Sequence, residues 1–260
     1  MHIVTFTRST PDTAAKVEVD GSGAVTWGDA ATVVNPWDEY SLEETIRQAD
    51  AVKGDSTVIA VGAELHQDAL KHSLAMGLKN AVRVNADGLD VTDSLQWSTL
   101  AAAAVKNIED AQLVIFGKDH VDVGSDQATY QTARKLGWTM LSNVSEILEL
   151  DADAGTIKVE KTLEQGKQVL TAKLPAVLSV LKGINEPRYP SFIGIRKASK
   201  ATIPEWTPAE LGVELPASST SMEGYTNPPP RDITSEMIDG ESVQEKAAKL
   251  ADKLMEEKVL

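Results

Sequence analysis

From Met1 to Phe116, short apolar runs alternate with longer segments whose apolar residues recur at helical spacing. His2 to Thr7, Thr57 to Val61, Ala81 to Val84 and Gln112 to Phe116 are the short runs. Strands covered on both faces read this way, and they belong to parallel sheets. Leu42, Ile46 and Ala49 mark one intervening helix. Leu70, Leu74 and Met76 lie in a second over Leu65 to Leu78, and Leu95 to Ile108 makes an alanine-rich third. Strand and helix in alternation predict an α/β fold, a parallel sheet flanked by crossover helices. The first helix has a marked start at Asn35-Pro36-Trp37-Asp38. Asn35 is the expected N-cap, Pro36 takes the first helical position, and Asp38 offers charge to the exposed amides.

After Leu136 the period changes. Val144 to Leu150, Thr156 to Lys161 and Gln168 to Lys173 alternate apolar with polar residues, as antiparallel strands with one wet face do. Ala154-Gly155 and Gln165-Gly166 are the turns between them. Ala176 to Leu181 is apolar almost throughout and returns to the main sheet. From Pro204 onward Pro208, Pro216 and Pro228 to Pro230 punctuate a stretch with little periodicity, which reads as an arm lying on another surface. The arm ends in a helix with a Ser242/Glu245 capping box and a stripe of Val243, Ala247, Leu250, Ala251 and Leu254. The expected division is therefore an α/β domain over 1–203, including a projecting loop at 183–200, and an arm with an amphipathic helix over 204–260.

Composition narrows the functions. The 260 residues are 42% hydrophobic and 25% charged, ordinary for a globular protein. No apolar run approaches the roughly 20 residues of a membrane helix. The first residues form a strand rather than a basic segment followed by an apolar one, which predicts a cytoplasmic chain, not membrane-embedded. With no cysteine there is no disulfide, thiolate metal site or thiol nucleophile. A net charge of −14 argues against nucleic acid as a partner. His66 and His72 are six apart, not the spacing that shares a zinc, so no metal site is expected. Glu43-Glu44 and Glu256-Glu257 read as solvated helix faces. No Ser/His/Asp order or nucleophile elbow is visible, so no catalytic residues are assigned.

Two segments carry candidate chemistry. The first is the loop Gly117 to Thr129, at the carboxyl end of a parallel strand and feeding a helix, where open α/β sheets bind ligands. Gly124 permits close backbone approach, the following helix start offers amides to a phosphate, and Ser125, Thr129 and Thr132 add hydroxyls. Neither a dinucleotide fingerprint nor a P-loop is present. The second is Asn185-Glu186-Pro187-Arg188-Tyr189-Pro190-Ser191-Phe192. Two prolines stiffen it and force the chain out of the sheet. Composition alone would fold Phe192 back onto its own core. Ringed by Arg188, Arg196, Lys197 and Lys200, it has the alternative form of an apolar docking tip for an acidic, grooved protein, and the order of the residues rather than their composition favours that form.

The strand with Pro175-Ala176-Val177-Leu178, then Asn185-Glu186-Pro187-Arg188-Tyr189, then Arg196-Lys197-Ala198, resembles the beta subunit of electron-transfer flavoproteins. Asn35-Pro36, Gly117-Lys118, Asp122 and Gln127 also fall in register, and the resemblance runs from the first strand to about Lys200. It implies an adenine-nucleotide alpha-hydrolase-like fold and an alpha subunit that holds most of an FAD. It implies a buried AMP between Phe6, Asn35, Pro36, Trp37, Asp38, Gly62, Ala63 and the loop Gly117, Lys118, Asp122, Gly124, Ser125, Asp126, Gln127, Ala128 and Thr129. Arg8 and Thr13 become flavin-proximal, with Arg8 favouring the anionic reduced flavin. Asn185, Glu186, Pro187, Arg188, Tyr189, Phe192, Arg196 and Lys197 become the loop that grips partner dehydrogenases. Ala128, Thr162, Gln165 and Ser179 depart from residues usual in the family.

Three functions stay open at this point. One is an electron carrier without substrate turnover of its own. Within it, a second FAD can replace AMP in electron-bifurcating relatives, whose motif is only partly matched by Thr92 to Ser98, with a bulky Trp97 at the expected helix start. Another is a stand-alone nucleotide-binding α/β enzyme, which would need a cationic or metal constellation for a triphosphate. The last is a partnerless nucleotide-binding regulatory module, which leaves the Asn-Glu-Pro-Arg-Tyr loop and the arm unexplained.

Overall fold

A computed structural model describes residues 1–87, 93–124, 127–218, 220, 223–229 and 234–259. Its centre is a sheet in which β1 (His2–Phe6) lies between β6 (Asp55–Gly62) and β8 (Ala111–Gly117), all parallel. Beyond β6 comes β7 (Asn80–Asn85); beyond β8 comes β12 (Ala176–Val180), again parallel. Ile3 and Val4 are both fully buried although they face opposite ways, as are Val58 and Ile59. That two-sided burial is why these strands lack polar alternation.

Helices cover both faces. Leu42 and Ile46 of α1 (Pro36–Ala51) and Leu70 of α2 (Gln67–Met76) pack on Val58 and Ala60. Leu100, Ala101 and Ala104 of α3 (Ser94–Lys106), with Ala133 of α4 (Gln127–Leu136), pack on Val4, Ile59 and Val114. Leu42, Leu70 and Leu100 are inaccessible to solvent, so truncating any one to alanine costs about 2–5 kcal/mol. The α/β architecture expected from the alternating pattern is the one observed, with element ends shifted in either direction, as in the longer β6 and the shorter α2.

The antiparallel extension is also present. It begins earlier than the alternation indicates, because β9 (Thr139–Asp151) joins the parallel and antiparallel parts of one nine-stranded sheet. Its first residues pair in parallel with Ala176 to Leu178, and from Val144 it pairs antiparallel with β10 (Thr156–Leu163), which carries β11 (Gly166–Lys173) at the edge. The bend falls at Asn143, which has φ 56, a left-handed conformation that asparagine tolerates. Its amide donates to the Ser179 hydroxyl at 3.2 Å where the register shifts. Two small ribbons lie over the carboxyl ends of the main strands: β2 (Ser9–Pro11) with β5 (Thr32–Val34), and β3 (Glu18–Val19) with β4 (Val25–Thr26).

After residues 183–200, β13 (Glu205–Trp206) adds to the free edge of β7. Buried Arg83 fixes it, pairing with Glu205 and donating to the Gly62 carbonyl at 2.9 Å. Leu211, Val213 and Leu215 then pack beside Trp206 against the α3 side of the core, and Gln96 Nε2 donates to the Pro216 carbonyl at 2.9 Å. The last helix, α6 (Val243–Glu256), buries none of its residues. Among the described residues no helix is long and apolar enough to cross a membrane.

Candidate functional site

The carboxyl ends of β1, β6 and β8 open into a cleft of about 540 Å³. Arg8, Thr13, Ala63, His66 and Asp122 supply its polar rim and part of its wall, and Trp27 from the small ribbons closes one side. Four residues from distant parts of the sequence reading, Arg8, Thr13, Ala63 and Asp122, therefore meet in one place.

Arg8 organises that place. Its guanidinium pairs with Asp122 at 2.8 Å and reaches His120 Nδ1 at 3.5 Å, while its backbone amide donates to Asp38 Oδ2 at 3.2 Å. Its Nε is buried and has no partner among the described residues. His66, fully covered, accepts the Ser9 amide on Nδ1 at 3.1 Å, so that nitrogen carries no proton. Burial, reinforced by Arg8 and Arg83, pulls His66 down to about 4. Burial and Arg8 pull His120 down to about 3. Both rings are thus neutral at pH 7, leaving Arg8 as the positive charge of the cleft. Burial pushes the Asp38 carboxyl up to about 8, against opposing pulls from Asn35 and Arg8.

Asn35 occupies the N-cap position of α1, but its side chain does not cap the helix. It ties down the neighbouring loop instead: Nδ2 donates to the Asp119 carbonyl at 2.8 Å and Oδ1 accepts the Val121 amide at 3.2 Å. Pro36 sits at the start of the helix as expected. Asp38 is turned inward onto Arg8 rather than toward the helix amides. Gly117 passes so close to α1 that a Cβ there would lie 2.7 Å from the Trp37 carbonyl, which no side chain can occupy. Lys118 extends over the half-exposed Trp37 ring, its ammonium 5.7 Å from the centroid.

Phe6 lies beneath this surface. It stacks on Phe116 at 4.7 Å between centroids and meets Trp97 at 5.4 Å. Trp97 therefore faces the core and touches His120 edge-on at 5.8 Å, rather than standing in the mouth of α3. That mouth is capped by Asp93, whose carboxylate accepts the Leu95 and Gln96 amides. Of the motif Thr92 to Ser98, Thr92 lies outside the described residues. So do Ser125 and Asp126 of the nucleotide loop. Gly62 ends β6 beneath His66, and Gly124 closes the turn before them at φ 60. Gln127, Ala128 and Thr129 open α4, whose first turn contains no acidic residue. Ala128 and Thr129 are buried. Thr132 spends its hydroxyl on the Ala128 carbonyl at 2.7 Å, so it is not an available donor.

The segment around Phe192 departs from expectation in three ways. Phe192 is not on a loop: it is the first residue of a short helix, α5 (Phe192–Ala198), capped by the Ser191 hydroxyl on the Gly194 amide. Arg188 is not one of a ring of free cations, because its Nε and Nη2 donate to Glu43 at 2.7 and 2.8 Å. Glu43 and Glu44, read as a solvated pair, are both buried. Glu44 accepts from Asn185 at 3.0 Å, Gln48 at 2.7 Å and Arg47 at 3.2 Å. Gly194 packs so tightly on α2 that a Cβ would overlap the Ala75 carbonyl. What remains outside is apolar: Tyr189 is 95% exposed, Phe192 83% and Ile193 69%, with Ile195 beside them and Arg196 and Lys197 in the last turn. Glu186 and Pro187 complete the approach to it.

The sequence reading missed Trp27, Leu65 and Val121 as cleft walls and His66 as a cleft residue. Leu65 and His66 are neighbours, but with Trp27 and Val121 they come from three separate stretches that no spacing links. Among the described residues no cluster of His, Cys, Asp and Glu could hold a metal ion.

An open, mostly parallel sheet with its cleft at the strand carboxyl ends is the layout of ligand-binding α/β proteins. Residues 25–211 match the family model described as electron transfer flavoprotein domain. The electron transfer flavoprotein subunit beta of Mycobacterium tuberculosis (strain ATCC 25618 / H37Rv) is 32% identical over 231 residues, covering 86% of each chain. That of Mycobacterium leprae (strain TN) is 32% identical over 250 residues, 92% of this chain and 93% of the relative. Protein FixA of Azotobacter vinelandii is 27% identical over 248 residues, 92% of this chain and 88% of FixA. The chain belongs to the electron transfer flavoprotein family, among its beta subunits.

Proposed function

We propose that this chain is the beta half of a two-chain electron carrier, in which an alpha subunit holds most of an FAD and dehydrogenases dock on the Phe192 segment. The observation that carries the reading is the apolar tip formed by Tyr189, Phe192, Ile193 and Ile195. A water-exposed cluster of four large apolar residues on a held segment is a protein-binding surface. Arg196 and Lys197 beside it favour an acidic rim on the dehydrogenase.

The residues suit both cofactors. A flavin presents carbonyl acceptors and gains negative charge on reduction, and the cleft holds a buried Arg8 Nε without a partner beside two neutral histidines. FAD, when bound, supplies the electron-carrying ring. Arg8 places positive charge beside it, Asp122 and His120 hold Arg8 in position, and Trp27 and Leu65 exclude water. An AMP phosphate suits the start of α4, where Gln127 and Ala128 open the helix and its first turn carries no acidic residue. Asn35 and Gly117 would act indirectly, by fixing the Lys118–Asp122 loop against Trp37. With no substrate bond made or broken at its own residues, the chain orients and tunes rather than catalyses.

A second FAD in place of AMP is the reading that Trp97 was expected to disfavour. Trp97 faces the core and so presents no such obstacle. The better reason for AMP is Asp93, whose capping carboxylate stands at the start of α3, where an added flavin diphosphate would meet like charge. The arm beyond Pro216 and α6, whose apolar stripe is only partly covered, would pack on the alpha subunit, whereas residues 205–215 lie on this chain's own core.

Denaturing the purified complex and chromatographing the released nucleotides should give FAD and AMP in equal amounts. FAD alone at twice the amount of this chain would replace the AMP assignment with the bifurcating one. Phe192→Ala should slow flavin reduction by a dehydrogenase and leave reduction by dithionite unchanged. Equal slowing of both would show that Phe192 supports the fold rather than the encounter.

A further inference from the structure

Residues 185–190 form no backbone-to-backbone hydrogen bond among the described residues. Pro187 and Pro190 lack amide donors altogether. Packing beneath this arch is incomplete, because a pocket of about 250 Å³ lies between Tyr40, His72 and Met76 and the chain at Pro187 to Pro190. Gly194 against α2 seats α5, but something else must set the direction of the arch that leads into it. The bonds that reach the arch all come from one helix. Glu43 accepts three donors from Arg188: the backbone amide at 3.2 Å, Nε at 2.7 Å and Nη2 at 2.8 Å. Asn185 Nδ2 donates to Glu44 at 3.0 Å and to the Tyr40 carbonyl at 3.0 Å.

We infer that Glu43 is a positioning residue for partner recognition, holding Arg188 so that the Tyr189–Phe192 tip is presented in one orientation before a dehydrogenase arrives. The inference rests on the reading of Phe192 as the docking tip. A forked guanidinium on a carboxylate fixes direction as well as distance, which a single charge contact cannot do. Pre-set orientation removes the ordering cost that a loose loop would meet on binding. The same helix begins at the cofactor loop: Asn35, Trp37 and Asp38 in its first turn hold Asp119, Gly117 and Arg8. From Asn35 to Glu43 is about 12 Å of helix. The Arg188–Tyr189 side of the docking tip is thereby referenced to the cleft through α1, while Gly194 against α2 holds the α5 side.

The test uses the intact two-chain complex. Glu43→Gln keeps the shape of the side chain but removes the charge from the fork, and Arg188→Lys keeps the charge but removes the fork. Each should raise the KM for the reducing dehydrogenase on the order of tenfold, with kcat changed less than about twofold. Reduction of Glu43→Gln by dithionite and its flavin spectrum should be those of the unaltered complex. The deciding measurement is a double-mutant cycle with Phe192→Ala. If Glu43 acts by presenting the tip, adding Glu43→Gln to Phe192→Ala raises KM no further. An independent, multiplicative effect would overturn the inference, as would an unchanged KM in both single fork variants while Phe192→Ala raises it. An unchanged KM in Phe192→Ala would instead overturn the docking reading, and the inference with it.

Discussion

Phe192 and Val243 are almost equally exposed, at 83% and 80%, and each starts a helix capped by a serine. Their attachments differ in kind. The Phe192 segment is held on one side by a buried carboxylate on α1 and on the other by the close packing of Gly194 against α2. α6 buries nothing, and among the described residues its side-chain bonds outside the helix reach only the chain next to it, as from Lys249 to the Asp239 carbonyl at 3.0 Å, Lys253 to Glu236 at 3.5 Å and Glu245 to the Glu241 amide at 2.8 Å. Exposed apolar surface is costly in both places, so both are expected to be covered by other chains. The first is preorganised, which suits brief encounters with exchangeable dehydrogenases. The second has an amphipathic stripe but no fixed seat, which suits ordering on a permanent partner.

The harshest way to break this comparison is at Gly194. Gly194→Ala places a methyl against the Ala75 carbonyl, which is backbone and cannot move aside. The expected cost is about 1–3 kcal/mol as α5 lifts from α2, read as a lowered melting temperature. Reduction by a dehydrogenase should fall further than stability alone explains, because Phe192 and Ile193 move with the helix. Lowered stability with an unchanged reduction rate would mean that rigid presentation is not what the dehydrogenase reads.

What the sequence made legible follows the range of the physics involved. Strands buried on both faces announce themselves locally, and so do the Pro36 helix start and the Ser242/Glu245 cap. Glu43 and Glu44 mislead because adjacent acids on a helix are usually solvated, and their partners, Arg188 and Asn185, lie more than 140 residues further along the chain. Asn35 misleads in the same way: its local role as a cap yields to a bond with Asp119, 84 residues distant. The ribbons over the cleft have strands of two or three residues, too short for a period, so Trp27 gave no sign of lining a cavity. The helix at Phe192 was signalled by Ser191 and masked by Gly194, which belongs to the crossing with α2 rather than to a turn.

A gentler test asks whether the α1 start is as fixed as its middle. Asp38 has a folded pKa of about 8, above its unfolded value, so folding favours its protonated form. Its stabilising contribution is complete below the unfolded pKa and is lost as pH rises through 8. His66 and His120 act oppositely. Their folded values of about 4 and 3 lie below the ordinary 6.5, so their contribution is complete above 6.5 and fades as pH falls. Between pH 6.5 and 8, Asp38 alone of the three should govern the slope, with stability declining on the order of 1 kcal/mol per pH unit. Denaturant midpoints across that interval should show the decline, and Asp38→Asn should flatten it. A decline that survives in Asp38→Asn would assign it elsewhere and leave the inward-turned carboxyl ionised beside Arg8.

The smallest expected effect falls on α6. The Ser242 hydroxyl accepts the Glu245 amide at 3.1 Å, and Ser242→Ala removes that cap. An isolated helix of 14 residues is marginal in water, so losing a cap worth about 1 kcal/mol should reduce its helicity measurably by circular dichroism. The global unfolding midpoint should move by less than about 0.5 kcal/mol, because no core residue depends on α6. Affinity for the alpha subunit should fall by no more than the extra cost of ordering the helix, about fivefold, seen as faster subunit exchange at high dilution. A drop in global stability of the chain by itself would mean that α6 already has a seat on its own body. The two exposed helices would then differ only in the strength of their attachment, and α6 would have no ordering step left to contribute to subunit assembly.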